Sequence, residues 1–391
     1  MTDESLQHPL LASAWMPAPW LMSACRFLQV CVMGLGGAVL FLACLEGLKH
    51  SLWAIPCAIG FVWLTLLLHE SGHAMAAALS GSTVVCVHLG PLEFRAQRRG
   101  WRMRWGKGLR GLGGLVQSIP AVERPVRRQM VATIAGGPLA NIAVAVACLA
   151  AWQAIGDPCI VAVLLGVGAY NLAGAVANLL PVAPGVWASD GLQLLRWWRG
   201  IDDDDPQVVL MRLMGRALAG SDTPPSRHEL EILARSPEPG PLLVLWMRVR
   251  QRQLAGEWEQ VEEMSGAIDE HVLKLPPQML HAAAGLVAWM RCEVAFSRAM
   301  IGAMPEPRAS SLLGPDMGWQ LPAVRLRCEA LECVQQGQLD AARVLLLKAR
   351  EWAARSIDLV FESNEMALCN AVQNRMTQAG SAGVPLHSQA A

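Results

Sequence analysis

The chain has 391 residues, 53% hydrophobic and only 16% charged, with 32 basic and 32 acidic side chains and no net charge. Soluble domains carry about 25% charged residues, and here the deficit lies before residue 200, which excludes a simple soluble globular protein and suggests a membrane half joined to a soluble half. The balanced charge gives no footing for a nucleic-acid partner.

Four apolar segments are long enough to cross a bilayer as helices, which takes about 20 residues. Phe27 to Leu45 is interrupted only by Gln29. Acidic Asp3 and Glu4 precede it and no small-residue cleavage site follows, so a retained accessory helix within an N-terminal segment 1–50 is expected, not a cleavable signal peptide. Leu52 to Leu68 is apolar apart from Thr65 and continues as a weaker helix to Leu79. Next comes 81–129, dense in basic residues from Arg95 to Arg128, with only Glu93 and Glu123 opposing them. Basic loops stay in the cytoplasm, so this loop and both chain termini are expected there.

Within that loop Thr83–Leu89 is β-rich and closed by Gly90-Pro91, and Leu115–Pro120 offers a second strand. Such strands could hold an unwound peptide by edge pairing, or the loop could lie as a basic surface on anionic lipid. His88 is expected as an exposed strand residue and not as a metal ligand. Met130 to Trp152 forms the third span around Asn141, and Cys159 to Leu180 the fourth, with Asn171 and Asn178.

Beyond the fourth span, Leu192–Trp198 is expected as an interfacial helix with Arg196, Trp197, Trp198 and Arg199 at headgroup level. Asp202 to Asp205 and Pro206 form a solvated linker. Residues 206–376 are helical by periodicity, as in Ala323–Val334 and Leu339–Trp352, with a loop at Gly302–Met317 and a disordered tail over 377–391. Two turns, at Gln336-Gly337-Gln338 and Ala255-Gly256-Glu257, look similar to the inter-helix turn of tetratricopeptide repeats, but their separation does not fit the 34-residue repeat. A cytoplasmic α-helical hairpin domain with a protein partner on its concave face is therefore expected. The eleven cysteines include no CxxC pair and read as small buried hydrophobes in a reducing compartment.

The chemistry concentrates at the end of the second span, in His69-Glu70-Ser71-Gly72-His73. Histidines at i and i+4 share one helical face and can reach one ion, and Glu70 beside them is placed to take a proton from bound water. Ionisable side chains are costly in a membrane helix, which marks these three as functional. A hydrolytic zinc needs a third protein ligand. The one acidic residue near the end of a later span is Asp190, beyond a Pro- and Gly-broken segment of the kind tolerated at membrane depth where it lines a cavity. An ordinary juxtamembrane loop with a solvated Asp190 is the alternative.

His69-Glu70-x-x-His73, then Gly137-Pro138-Leu139-Ala140-Asn141, then Asn178-x-x-Pro181 with Asp190-Gly191, resembles the site-2 protease (M50) family of intramembrane zinc metalloproteases. The resemblance covers about residues 50–200. It implies a catalytic membrane core at 51–200 (spans about 52–79, 130–152 and 159–180, with loop 81–129), Zn2+ held by His69, His73 and Asp190, and Glu70 as the general base acting on zinc-bound water. Asn141 and Asn178 then fall at substrate-binding positions, although an interhelical hydrogen bond serves Asn141 equally well. The loop from Val182 to Ser189 is longer than in the family's commonest pattern.

The expected architecture is an all-α polytopic membrane protein, with about four transmembrane helices and a small membrane-associated β-sheet, carrying a C-terminal α-helical hairpin (TPR-like) soluble domain. Its expected function is intramembrane zinc metalloendopeptidase activity at the cytoplasmic (inner) membrane. The partners are the lipid bilayer and a transmembrane protein substrate cut in or near its spanning segment. A catalytically silent scaffold recruiting partners through the helical domain is the first alternative, opposed by the intact Glu70. A metal-dependent transporter is the second, opposed by the scarcity of polar residues in the other spans.

Overall fold

The computed structural model describes residues 15–106, 113–183, 188–221 and 223–382. The chain divides into two compact units, one holding Ser13–Ala96 and Gly100–Gly215, the other chiefly Arg216–Ala391. The boundary thus falls about ten residues after the Asp-rich linker in which the sequence suggested it.

The first unit is a polytopic membrane domain. Its long helices are α1 (Pro19–Gly47), α2 (Ala54–Ser80), α3 (Val126–Ala154) and α4 (Pro158–Leu179), each with an apolar stretch long enough to cross a membrane and each matching one of the four expected spans. Asp157 caps α4 by accepting hydrogen bonds from the backbone of Cys159 at 2.8 Å and Ile160 at 3.2 Å, with Pro158 in the first turn, where a missing N–H costs nothing. α1 packs along α4, α2 along α3, and α3 along α4.

These contacts rest on small residues, as helix pairs in lipid require. Where α2 crosses α3, Gly72 faces Gly136, and a Cβ built on either would stand 2.4 Å from the other's carbonyl oxygen. The crossing therefore admits hydrogen only. Gly136→Leu is expected to separate the two helices and lower the thermal midpoint of the detergent-solubilised protein by the equivalent of at least about 1–3 kcal/mol, the usual cost of overpacking. A midpoint equal to wild type would show that the backbones are not in contact there.

Between α2 and α3 runs a four-stranded antiparallel sheet, β1 (Thr83–Leu89), β2 (Leu92–Ala96), β3 (Trp101–Trp105) and β4 (Gly114–Ile119), in the order β3-β2-β1-β4. The expected strands Thr83–Leu89 and Leu115–Pro120 are β1 and β4. β2 and β3 lie in the stretch expected to be a basic loop. Gly90-Pro91, expected only to end a strand, is the two-residue turn joining β1 to β2, with Gly90 at φ +54°. β1 is paired on both sides, which leaves β3 and β4 as the edges.

α5 (Asp190–Arg199) replaces the expected interfacial helix and corrects its placement. Arg196 and Trp197 are buried, not at headgroup level, and Trp197 packs with Met130, Ile134 and Val208 of α6 (Pro206–Leu218). Trp198 is exposed. Arg127 donates to the carbonyl of Trp197 at 2.8 Å, which ties the start of α3 to the end of α5.

The second unit is helical throughout its described residues: α7 (Arg227–Arg235), α8 (Gly240–Leu254), α9 (Trp258–Glu263), α10 (Ser265–Lys274), α11 (Pro277–Met300), α12 (Ala309–Leu312), α13 (Gly314–Gln320), α14 (Pro322–Gln335), α15 (Leu339–Ala353) and α16 (Leu359–Ala382). The expected loop at Gly302–Met317 contains α12 and part of α13. α16 runs past residue 377, where the sequence suggested a tail, and 383–391 lie outside the described residues. The two Gly-centred turns share one geometry. Gly256 and Gly337 sit at φ +75° and +76°, and the next amide in each reaches back to a carbonyl five residues earlier, Glu257 to Arg252 and Gln338 to Cys333, both at 2.9 Å. That is the left-handed glycine cap that closes a helix before a hairpin.

α11 contributes to both hydrophobic clusters of this unit. By length and composition Met279–Met300 is a fifth helix able to cross a membrane. Half of that stretch is buried by its neighbours, against 17–33% in the other four, and Glu293 within it meets two arginines. It is the central helix of the second unit.

That Glu293 belongs to a buried square of charges. Arg327 donates to Glu365 and Glu293 at 2.8 Å each, and Arg250 to Glu293 at 3.1 Å and Glu365 at 3.0 Å. Burial works against the Glu293 charge, but the Arg327 and Arg250 guanidiniums outweigh it and hold the carboxyl below the usual carboxylate range. All eleven cysteines are free thiols.

Candidate metal centre

The site is assembled by three elements. His69 and His73 lie one turn apart on α2, and Asp190 is the first residue of α5. Their donor atoms converge: His69 Nε2 stands 3.1 Å from Asp190 Oδ2, His73 Nε2 is 3.5 Å from the same oxygen, and the two Nε2 atoms are 3.1 Å apart. A tetrahedral ion with bonds of about 2.0–2.1 Å needs donors about 3.3 Å apart. Two imidazoles and one carboxylate at this spacing fit zinc and leave a fourth position open.

His73 is oriented by backbone. Its Nδ1 lies 2.8 Å from the carbonyl oxygen of Thr133 on α3 and 3.3 Å from the Gly137 amide; the carbonyl can only accept and makes the shorter contact, which favours the proton on Nδ1 with Nε2 facing the other donors. Thr133 precedes Gly136, Gly137 and Pro138, and Pro138 sits inside α3, where it can donate no backbone bond to the preceding turn. Gly137 lies directly against the donors: a Cβ there would be 2.4 Å from His73 Nε2 and 2.7 Å from His69 Nε2. Glu70, buried beside its two histidines, lies within electrostatic reach of His69, His73 and Asp190. Gly114, the first residue of β4, sits against its carboxylate, where a Cβ would come within 2.4 Å of Oε1. An edge strand therefore begins at the side chain proposed as base.

The long loop before Asp190 is closed by one hydroxyl. Ser189 Oγ donates to the carbonyl of Leu180 at 2.6 Å, accepts from the amide of Val182 at 3.0 Å, and caps α5 by accepting from Leu192 at 3.3 Å. The backbone of Ser189 also donates to Val182 at 2.8 Å. Val182 and Ser189 are thus held side by side whatever the length between them, of which 184–187 lie outside the described residues. Gly191 then presses on the end of α4, where a Cβ would fall 1.8 Å from the Leu179 carbonyl oxygen. Only glycine permits α5 to start there.

Asn141 is fully buried on α3, with its side-chain nitrogen 3.3 Å from His69 Nδ1. Asn178 is half-buried near the end of α4, and among the described residues no hydrogen bond joins it to the cluster. Asn171, which the sequence left without a role, donates to Thr65 on α2 at 3.1 Å and links α4 to α2.

Cys86, His88 and Glu93 form a second group with ligand-type atoms close together. It is a poor cation site. The Glu93 carboxylate is taken by Arg104 at 2.7 Å and faces Arg95 at 3.5 Å, burial pushes the Cys86 thiol up to about 11, and burial also lowers His88.

No curated protein and no solved structure matches this chain. Residues 57–164 match the model of peptidase family M50. The match takes in α2 with His69, Glu70 and His73, the sheet, and α3 with Asn141, and stops before Asn178 and Asp190. The membrane segment that carries the helix-borne histidine pair and its glutamate is thus similar to peptidase family M50.

Proposed function

We propose that this protein is an intramembrane zinc metalloendopeptidase that hydrolyses a peptide bond in or near a transmembrane segment of another membrane protein. The convergence of His69, His73 and Asp190 to mutual distances of 3.1–3.5 Å carries this reading. A zinc ion held there supplies a Lewis acid that polarises the scissile carbonyl and acidifies water. Glu70 takes the proton of the attacking water and returns it to the leaving amine. Glu70 and both histidines are buried by the surrounding helices, which keeps lipid away from them.

A helical substrate segment keeps its carbonyls in internal bonds and must unwind before cleavage. The free edge of β4 can hold the unwound strand by main-chain pairing, and its first residue touches Glu70. β1, expected as a second receiving strand, has no free edge. Asn178, near the end of α4, is a further candidate for substrate contact. The arginines between Arg95 and Arg128 support an orientation with the sheet and both termini on the cytoplasmic side of the inner membrane, since basic loops stay in the cytoplasm. The helical unit is then a cytoplasmic domain offering a surface to a protein partner.

The test compares membrane proteomes of the native host carrying wild type or Glu70→Gln at equal level. One membrane protein should accumulate uncut in the variant while its cytoplasmic fragment disappears, since losing a general base slows turnover by about 10²–10⁴-fold. Identical proteomes under several stresses would favour a silent scaffold.

A further inference from the structure

The two histidines are held by different means. His73 has a backbone carbonyl on its Nδ1, whereas His69 has only the side chain of Asn141. Asn141 is buried to 1% exposure, and its Oδ1 has no hydrogen-bond partner. With the amide nitrogen toward His69 Nδ1, that ring nitrogen must be the acceptor, and Nε2 would carry the proton. Yet His69 Nε2 is the atom that converges with His73 and Asp190, and a metal ligand must be unprotonated there. The conflict disappears if the carboxamide is turned over, since amide oxygen and nitrogen occupy equivalent positions in shape. Oδ1 then accepts from Nδ1–H, which fixes the His69 tautomer and plane as the Thr133 carbonyl fixes those of His73.

We infer that Asn141 is a positioning residue for the metal centre, with its side-chain carbonyl accepting the Nδ1–H of His69 so that Nε2 is presented to the ion. This rests on the metal reading above and assigns Asn141 to a metal ligand instead of to substrate. A leucine at 141 fills the space without an acceptor, and an aspartate restores acceptor oxygens without the NH2 group. Removal of an outer-shell partner typically weakens metal binding 10–100-fold.

The experiment measures Zn2+ affinity by chelator competition on the full-length protein in detergent, for wild type, His73→Ala, Asn141→Leu and Asn141→Asp. Thermal midpoints of the metal-free proteins and Co2+ absorption spectra are recorded alongside. The expected result is a 10–100-fold loss for Asn141→Leu with an unchanged metal-free midpoint, recovery to within a few-fold of wild type for Asn141→Asp, and a tetrahedral cobalt spectrum in the latter alone of the two. Wild-type affinity in Asn141→Leu overturns the inference, as does an equal loss in Asn141→Asp, because that would make the NH2 group the needed part. Wild type that binds no more tightly than His73→Ala overturns the metal reading itself and is told apart by that control.

Discussion

Substituting alanine for Gly137 is expected to strip the centre of its metal while the chain remains folded in the membrane. The added methyl would stand 2.4 Å from His73 Nε2 and 2.7 Å from His69 Nε2, well inside contact distance. Any retreat of α3 would break the close backbone contact between Gly136 and Gly72 one residue earlier and disturb the packing of α3 along α4. The imidazoles must turn instead, and a rotated ring no longer aims its lone pair at the ion. Zinc content by elemental analysis should fall from about one equivalent to near zero, with affinity down at least about 100-fold and cleavage lost. Size-exclusion behaviour should stay that of wild type. Stoichiometric zinc in Gly137→Ala would mean that α3 does not lie against the donors.

Replacing Arg327 with methionine should be among the most destabilising single changes in the second unit. The buried square holds two guanidiniums against two carboxylates, and Arg327, Glu293 and Glu365 are wholly inaccessible. Removing one cation leaves an unmatched carboxylate in the core, which costs about 3–5 kcal/mol. The double variant Arg327→Met/Glu365→Met restores neutrality, and its loss should be much smaller, since apolar replacement of a whole buried pair is often neutral. Limited proteolysis of the full chain across a temperature series would read both, and equal losses in the single and double variants would refute the charge argument. The same square makes acid destabilising. Glu293 has a folded-state affinity for protons below its unfolded one, so its contribution is complete at neutral pH and disappears as pH falls through the lowered value.

The four spans and the His69–Glu70–His73 face were legible because each depends on local periodicity: apolar runs of bilayer length, and two imidazoles one turn apart. What was missed depends on contacts distant in sequence. Leu92–Ala96 and Trp101–Trp105 alternate large apolar or aromatic side chains with Glu or Arg, a strand signal in itself, but the arginines between them read as a loop. Arg196 and Trp197 carried the composition of a membrane interface, and only the packing of Met130, Ile134 and Val208 shows that Trp197 is core. α11 is apolar enough to span a bilayer, and the arginines that make sense of its Glu293 come from α8 and α14. In the metal centre, Gly137 and Gly114 had no visible role, since an absent Cβ acquires meaning only when another helix or strand arrives.

The closure of the Val182–Ser189 loop by a single serine has a consequence for how such centres are found and altered. Because the two ends of the loop are joined by hydrogen bonds, residues can be added or removed between them without displacing the carboxylate that follows. The interval between histidines and aspartate along the chain is thus free to drift while their separation in space stays fixed. In this chain the serine one position ahead of Asp190-Gly191, and not the residue count before it, sets where the carboxylate stands. A reporter peptide inserted between Val182 and Ser189 is therefore expected to leave the His69, His73 and Asp190 cluster in place.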